Sequence, residues 1–422
     1  MNLKNNFVLM LLIILSSFLI FYQFTFIPKY LTFDEVEFTK LALSLDGKQY
    51  TPYSLLATGH STLYFYILLL SFKTFGVNVF ALRFPAAIFG ILSVILFYFI
   101  IKKLKNYKLK IKKYNVLPFL LTFIFLTSRW FLNFSRFAFE PTFLLFLELA
   151  SIYFLFQCFK TLKWQNLILS GIFSGLTFNS YIPGRIFFLL PLGFLIFKLV
   201  NPLTRKQFNN LTIKPLLLFL IPFLIIITPL TTHLLINKDA RIDQQFFLRN
   251  SKMAANEKIS GLWHNISSNT LMFFTQGDMN GRHNYPNKPA LNPILGILFI
   301  TGFIIAIKQW NNFTNQLFII YFFLSFFPTL MTYPWENPNM LRTFTVIPSL
   351  VYFIGLAIVS ISKKIKAKYL YLIFFVVFLS SLYEIRTYFK YQAKVFEDSF
   401  EIQYSLDKAI KLKNPYEKIN KK

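Results

Sequence analysis

The sequence predicts an all-α protein that crosses a membrane many times. Of its 422 residues, 55% are hydrophobic and 14% are charged, whereas a soluble chain carries about a quarter charged residues. Several apolar runs reach about 18–22 residues, long enough for a helix to cross a hydrocarbon core roughly 30 Å thick. The basic residues behind the net charge of +27 lie in short segments between these runs. That arrangement is typical of cytoplasmic loops rather than of a nucleic-acid-binding surface.

About eleven transmembrane helices are predicted. We place them near residues 7–27, 79–101, 115–132, 141–159, 166–181, 185–200, 215–236, 291–308, 314–332, 343–361 and 369–385. The first run lacks a small-residue cleavage site at its end, so it is predicted to be a retained helix rather than a signal peptide. The apolar run within residues 60–75 is too short to cross, and we expect it to lie at the membrane surface.

The distribution of charge supports this arrangement. With the N-terminus in the cytoplasm, the segments on that side hold 19 Lys and Arg residues and no Asp or Glu. These segments are Lys4, 102–113, 160–166, 198–214, 308–316 and 362–368. Counting 60–75 as a span would move 102–113 outside, against the positive-inside rule.

Two long outer loops follow from this topology, at about 28–78 and 237–290, and interfacial helices are expected in the first of them. The predicted organisation is one transmembrane domain over 1–385 with a short outer tail over 386–422. The single cysteine, Cys158, lies in an apolar run, so one chain alone cannot form a disulfide.

The cytoplasmic side lacks the groups that nucleotide chemistry needs. Mg²⁺ on nucleotide phosphates is normally held by one or two carboxylates, and the segments on this side contain no carboxylate and no Gly-rich phosphate loop. Any reaction is therefore expected on the outer side, with its activated group delivered by a lipid phosphate.

The first acidic cluster follows the first span, in Thr32-Phe33-Asp34-Glu35-Val36-Glu37. Thr32 and Glu35 have the spacing of a capping box, and apolar residues then recur at helical spacing. The pattern predicts an amphipathic helix on the outer surface with Asp34 in its first turn. The structural alternative is that these carboxylates only complement the helix dipole or cap the helix.

A second acidic motif precedes the fourth span. Pro141 suits the first turn of a helix, which puts Glu140 at the outer mouth of that span, and Arg136 is close enough in sequence to pair with Glu140. The alternative is a structural ion pair at the start of the helix. Glu148 lies two turns deeper, within the membrane. An intramembrane carboxylate is a functional candidate, and the alternative is that Glu148 bonds to a neighbouring helix.

Three more outer segments carry candidate groups. His283, with Asp278 and Arg282, suits an anionic headgroup or a metal. Two further segments each supply an arginine that could bind a phosphate. One is the break between two spans at Tyr181 to Arg185, and the other is the Pro-rich loop from Tyr333 to Arg342, which also supplies Glu336. Their alternatives are a structural histidine, an arginine that snorkels to the interface and an ordinary connecting loop with a Trp anchor.

The order of these motifs resembles the GT-C membrane glycosyltransferases, in particular the protein O-mannosyltransferase and aminoarabinose-transferase superfamily. The similar segments run along nearly the whole chain. They are Phe33-Asp34-Glu35, Gly59-His60-Ser61-Thr62-Leu63-Tyr64 in place of the family's His/Lys-Pro-Pro-Leu-Tyr run, Phe75-Gly76, Ala81-Leu82-Arg83-Phe84-Pro85, Arg136 to Glu140, Gly277 to Pro289 and Glu336 to Pro348. The family segment that matches 60–75 lies at the membrane surface, in agreement with the charge argument.

This resemblance implies a GT-C fold and transfer of a sugar from a polyprenyl-phosphate donor to an acceptor hydroxyl. The reaction would occur on the extracytoplasmic side of a plasma membrane, the inner membrane of a bacterium. The implied catalytic residues are Asp34 as general base, with Glu35 beside it and Glu140 in place of the second acid. The implied substrate- and phosphate-binding residues are His60, Arg83, Arg136, Tyr181, Arg185, Arg282, Glu336 and Arg342.

Several points stay open in the sequence. Some family members hold a divalent metal through a Glu before the Pro-Pro run and a His in the long outer loop. Here Gly59 or His60 stands near the first of these, and His283 stands for the second. Attack by the acceptor itself predicts inversion at the anomeric carbon. The acceptor is a protein, a lipid or a polysaccharide. The alternatives to an enzyme are a transporter or flippase for a lipid-linked glycan, and an inactive assembly or polymer-length factor.

Overall fold

The computed structural model describes residues 3–104, 110–111, 114–200, 213–237, 239–366 and 369–412. Three of the basic segments assigned to the cytoplasm lie partly outside the described residues, namely 102–113, 198–214 and 362–368. The predicted tail over 386–422 is described as far as residue 412.

Helices dominate the described chain. Those in its first half are α1 (Leu3–Phe21), α2 (Phe33–Ser44), α3 (Leu63–Phe75), α4 (Val79–Lys103), α5 (Leu117–Thr127), α6 (Arg129–Phe134), α7 (Pro141–Thr161), α8 (Gln165–Phe178), α9 (Leu189–Val200) and α10 (Ile213–Asn237). Those in its second half are α11 (Ala240–Gln245), α12 (Ala255–Leu271), α13 (Pro293–Lys308), α14 (Phe313–Leu330), α15 (Ile347–Ser362), α16 (Leu370–Arg386), α17 (Ala393–Ser399) and α18 (Leu406–Ala409).

Short strands and turns connect the helices. Two antiparallel hairpins pair β1 (Tyr53–Ser54) with β2 (His60–Ser61) and β3 (Lys110–Ile111) with β4 (Tyr114–Asn115). Single 3₁₀ turns lie at Leu56–Thr58, Ile182–Ile186, Phe247–Arg249, Pro334–Glu336 and Phe344–Val346. A π-helical turn, Thr387–Gln392, joins α16 to α17.

Within the described residues, seven helical runs are long and apolar enough to cross a membrane. These are Val79–Lys103, Pro141–Thr161, Ile182–Val200, Ile213–Asn237, Phe313–Leu330, Phe344–Ser362 and Leu370–Ser399. Four shorter apolar helices are Phe7–Phe21, Leu63–Phe75, Leu117–Thr127 and Pro293–Lys308. The chain is a multi-pass membrane protein, and the count of eleven spans stays a prediction.

Three expected spans have different bounds in the structure. The first helix ends at Phe21 rather than near residue 27. The span expected over 115–132 is divided, because Ser128 adopts an extended conformation (ψ 124°) between α5 and α6. The last span continues to Ser399, since Tyr388, Gln392 and Phe396 keep one side of the extension buried.

Glycines bring two pairs of helices into close contact. A Cβ on Gly171 of α8 would lie 2.2 Å from the carbonyl oxygen of Phe219 on α10. A Cβ on Gly302 of α13 would lie 1.7 Å from the carbonyl oxygen of Phe353 on α15. Backbones this close exclude any larger side chain, which is how small residues act at the interfaces of membrane helices.

The C-terminal segment packs on the first outer loop. Leu31 and Ile402 form an isolated antiparallel bridge, with both backbone hydrogen bonds made. Phe400 lies edge-to-face on Phe137, with ring centroids 5.6 Å apart. The tail expected over 386–422 is thus joined, in its described part, to the loops that carry the two acidic motifs.

Candidate functional site

An open cavity of about 1130 Å³ lies at one end of the helix bundle. All five loops that the topology places outside contribute to its wall. Seven of the predicted site residues line it: Asp34, His60, Tyr181, Arg282, His283, Glu336 and Arg342. The other five, Glu35, Arg83, Arg136, Glu140 and Arg185, are buried or half-buried behind the wall.

The start of α2 places two consecutive carboxylates. Thr32 Oγ1 accepts a hydrogen bond from the backbone N–H of Glu35 at 3.0 Å, and the N–H of Thr32 donates to Glu35 Oε2 at 3.1 Å. This is the capping box that the spacing predicts. It fixes the first turn and leaves Asp34 facing the cavity.

Glu35 and Arg83 form a fully buried ion pair with two contacts. Arg83 Nε donates to Glu35 Oε1 at 2.8 Å, and Nη2 donates to Oε2 at 3.1 Å. The backbone N–H of Ala138 also donates to Glu35 Oε1. The pair therefore joins α2 and α4 to the loop of the second acidic motif. Because the protein itself supplies all these partners, neither Glu35 nor Arg83 is open to a ligand.

Arg136 does not pair with Glu140, and this part of the sequence interpretation is wrong. Its guanidinium donates to the carbonyl oxygens that close α1 and the turn after it, among them Leu19, Tyr22 and Ile27. The last carbonyls of a helix have no partner within the helix, and a buried arginine with several donors satisfies them. Arg136 therefore fixes the end of α1.

Asp34 pairs across the cavity with an arginine from the second long loop. Arg282 Nη1 donates to Asp34 Oδ2 at 2.8 Å, and the two side chains are 32% and 39% exposed. Asn133 Nδ2 holds the backbone of that loop by donating to the carbonyls of Arg282 and His283. Both charged groups of this pair can therefore reach a molecule in the cavity.

His60 is the centre of a buried cluster that joins Glu140 to Arg241. His60 Nδ1 lies 2.9 Å from Glu140 Oε1, and Arg241 Nη1 lies 2.8 Å from His60 Nε2. Burial, followed by repulsion from Arg241, lowers the pKa of His60. A neutral ring fits both contacts, with Nδ1–H donating to Glu140 and Nε2 accepting from Arg241.

Arg241 is the cation in the cavity wall that carries the least compensated charge. Among the described residues it has no carboxylate at ion-pair distance, since its guanidinium is directed at neutral His60, and its Nε lacks a hydrogen-bond partner. By contrast, Arg342 pairs with Glu336, and Arg282 pairs with Asp34. Arg241 is therefore the arginine most available to an anion.

Asp239 positions Arg185 and Arg241. It accepts from Arg185, from Tyr53 Oη at 3.0 Å and from the backbone N–H of Arg241 at 2.9 Å. Burial raises the pKa of the Asp239 carboxyl, but the charge and hydrogen bond of Arg185 outweigh that effect, so the pKa is lowered. Arg185 is thus occupied by Asp239, and its remaining contact is a weak one at 3.5 Å to Ser61.

The divalent metal that the resemblance allows at His283 stays a prediction. His283 Nδ1 lies 2.9 Å from Asp278 Oδ2, which also accepts from the N–H of Met340 at 2.8 Å. His60 contacts a guanidinium, which repels a cation. In the part of the chain that the structure describes, no three His, Cys, Asp or Glu side chains gather as a metal site does.

Several residues of the cavity carry no sequence signal that marks them. Arg241 follows Asp239 by two residues in the second long outer loop, and nothing in the local pattern separates it from Arg249. Trp335 is largely exposed at the cavity and stacks on Tyr333 at 4.3 Å between ring centroids. Glu148, which the sequence left open, accepts from Tyr321 Oη of α14 at 2.7 Å, a bond between helices within the bundle.

Comparison with solved structures identifies the fold. The crystal structure of ArnT from Cupriavidus metallidurans bound to undecaprenyl phosphate matches with a TM-score of 0.55 and 10% identity, covering 93% of this chain and 76% of ArnT. The apo structure of the same protein matches with a TM-score of 0.54 and 10% identity, covering 94% and 77%. The chain has the GT-C fold.

The sequence comparisons agree with this fold. A family model described as dolichyl-phosphate-mannose-protein mannosyltransferase matches residues 59–232, from the His60 motif to α10. No curated protein matches the sequence significantly. The family match and the shared fold together confirm the resemblance to the GT-C membrane glycosyltransferases.

Proposed function

We propose that this protein is a membrane glycosyltransferase. It transfers a sugar from a polyprenyl-phosphate-linked donor to an acceptor hydroxyl, in the cavity and on the extracytoplasmic side. The observation that carries the proposal is that the cavity joins a carboxylate, Asp34, to two arginines, Arg282 and Arg241. The family match over residues 59–232 and the fold shared with ArnT, a protein crystallised with undecaprenyl phosphate, support it.

The donor's phosphate binds the arginines of the wall. Arg241 lacks a carboxylate partner in the described chain and offers a fork of N–H donors that suits phosphate oxygens. Arg282 lines the same cavity. As the bond between sugar and phosphate breaks, negative charge grows on the phosphate, and arginines held in a partly dehydrated site stabilise that charge. No general acid is needed for this leaving group.

Asp34 acts as the general base. Its carboxylate takes the proton of the acceptor hydroxyl while the hydroxyl oxygen forms a bond to the anomeric carbon. The bond between that carbon and the phosphate oxygen breaks, and its electron pair leaves with the prenyl phosphate. Attack and departure on opposite sides of the carbon invert its configuration.

The Asp34–Arg282 pair implies an order of events. While Arg282 donates to Asp34 Oδ2 at 2.8 Å, that carboxylate oxygen is occupied and is not available to the proton of the acceptor hydroxyl. A donor phosphate that draws Arg282 towards itself frees Asp34. The base thus becomes effective when the donor is in place, which limits unproductive reactions in its absence.

Charge supports an extracytoplasmic site. The cavity wall is formed by the loops that the positive-inside rule places outside. The ends of α4, α7 and α9 at the opposite side of the bundle carry Lys103, Lys160 and Lys198. A bacterial inner membrane, with the donor in its outer leaflet, fits this arrangement.

The direct test is sugar transfer by purified protein in lipid nanodiscs, with polyprenyl-phosphate sugars as donors. Asp34→Asn is expected to reduce turnover by about 10²–10⁴-fold, the range for a general base. Glu37→Gln is the matched control, since Glu37 lies on the same helix and pairs with Lys40. Near-normal turnover by Asp34→Asn, with donor binding retained, would show that Asp34 is not the general base.

A further inference from the structure

A basic pocket lies at the end of the bundle opposite the cavity. Lys103, Lys160 and Lys198 come from the last turns of α4, α7 and α9 and line a pocket of about 670 Å³ with Phe156, Phe159 and Phe313. Glu140 and Lys160 stand at opposite ends of α7, which separates the pocket from the cavity by about 30 Å at 1.5 Å per residue.

The pocket brings three positively charged side chains together. Lys160 is close enough for its charge to repel that of Lys103. The described residues that line the pocket include no acid, and the segments 102–113, 160–166 and 198–214 contain no Asp or Glu in the sequence. Like charges gathered in this way favour an anion between them.

Two of the three lysines, Lys103 and Lys198, lie against aromatic rings. Lys103 Nζ lies 3.7 Å from the ring centroid of Tyr153, is buried and lacks a hydrogen-bond acceptor among the described residues. Lys198 Nζ lies 5.1 Å from the ring centroid of Phe313. A lysine that only snorkels places its ammonium group in water, whereas the Nζ of Lys103 is buried.

An apolar groove continues from this pocket along α9. The groove, of about 640 Å³, is lined by residues of α9 and α14, among them Leu189, Gly193, Phe197 and Ile320. Phe194 of the groove contacts Phe313 of the pocket, with ring centroids 4.9 Å apart. Leu189 and Phe197 are exposed, so the groove opens to the surrounding acyl chains.

We propose that the pocket and groove together bind one anionic glycerophospholipid. Its phosphate lies among Lys103, Lys160 and Lys198, and one acyl chain lies in the groove along α9. The three cations account for the phosphate, and the continuity of the groove accounts for the chain, which a free phosphate would lack. This site is independent of the proposed sugar transfer.

The test is native mass spectrometry of the full-length protein with phosphatidylglycerol, with zwitterionic phosphatidylcholine as the comparison. The wild type is expected to retain phosphatidylglycerol at least tenfold better. This preference for phosphatidylglycerol is expected to be lost in the triple variant Lys103→Gln/Lys160→Gln/Lys198→Gln. The matched control is Lys102→Gln/Lys163→Gln/Lys308→Gln, which removes the same charge from exposed lysines outside the pocket lining and keeps the preference.

A second variant tests the groove with the lysines intact. A Cβ on Gly193 meets no atom within 4 Å, so Gly193→Leu fills the groove without a clash at that atom and is expected to weaken phosphatidylglycerol binding. Equal retention by the two lysine triples would overturn the site. Competition by millimolar inorganic phosphate, together with no effect of Gly193→Leu, would assign the pocket to a free anion instead of a lipid.

Discussion

Asp34 and Glu35 are consecutive residues whose carboxylates bind different arginines. Asp34 faces the open cavity and accepts from Arg282 at 2.8 Å, whereas Glu35 is fully buried against Arg83 at 2.8 Å. Successive side chains on a helix point about 100° apart, so one turn of α2 presents one carboxylate to the cavity and the other to the protein interior. One turn therefore carries a carboxylate that is open to a ligand and a carboxylate that is buried in an ion pair.

Substitutions at these two positions are expected to fail in different ways. Glu35→Gln leaves Arg83 buried without its counter-charge, which costs about 3–5 kcal/mol when one partner of a buried pair is removed. The measurement is the melting temperature of the purified protein, which should fall for Glu35→Gln and stay near wild type for Asp34→Asn. An unchanged melting temperature for Glu35→Gln would contradict the structural role.

Arg282 is expected to affect the donor more than the fold. Arg282→Gln removes a charged hydrogen bond to phosphate, worth about 1.5–3 kcal/mol, which corresponds to a loss of roughly 10–150-fold in kcat/KM for the donor. Lys252→Gln removes one exposed charge from the same loop and serves as the control. An equal fall in kcat/KM for Lys252→Gln would mean that long-range charge, and not a contact between Arg282 and the phosphate, explains the effect of Arg282→Gln.

The pH dependence of stability should report on His60. Its folded pKa is lowered from the ordinary value of 6.5 by burial and Arg241, so the unfolded chain binds more protons than the folded one below about pH 6.5. The free energy of unfolding therefore falls as pH drops through 6.5 towards the lowered pKa.

Melting temperatures at pH 7.5 and 5.5 measure this effect. The difference between the two pH values should shrink in His60→Gln, whose amide can still donate to Glu140 and accept from Arg241. It should persist in His264→Gln, which changes an exposed histidine. A His60→Gln variant with the full wild-type difference would assign the pH dependence to other groups.

Glycine positions on α13 give a test of helix packing. Gly302→Ala must separate α13 from α15, because the added Cβ would lie 1.7 Å from the carbonyl oxygen of Phe353, and overpacking of this kind costs at least about 1–3 kcal/mol. On the same helix, a Cβ on Gly296 meets its nearest atom, on the Phe274 ring, at 3.4 Å. A lower melting temperature is expected for Gly302→Ala than for Gly296→Ala, and the reverse order would contradict this packing.

Local hydrogen-bonding patterns could be predicted from the sequence, and long-range pairing could not. The Thr32–Glu35 capping box and the helix start at Pro141 depend on residues a few positions apart, so their spacing is informative. The partners of Arg136 lie more than a hundred residues away at the end of α1. Sequence proximity suggested Glu140 instead, and the packing of α1 decided otherwise.

The candidate site shows the same limit. The cavity gathers seven of the predicted residues because loops on one side of a bundle must converge at that end. Arg241 was missed because its contact with His60 spans 181 residues, and an arginine in a polar loop has no pattern of its own. Likewise, the division of the third span at Ser128 depends on tertiary contacts, such as those of Arg129 with Glu384 and Pro289.

The bridge between Leu31 and Ile402 has a consequence for biogenesis. Leu31 precedes the cap of α2 by one residue, so the backbone beside Asp34 is completed by a segment that the ribosome makes some 370 residues later. A chain halted before that segment emerges would insert its helices yet lack this support for the turn that carries Asp34. Such a fragment is expected to lack the proposed sugar transfer, although its helices are already in the membrane.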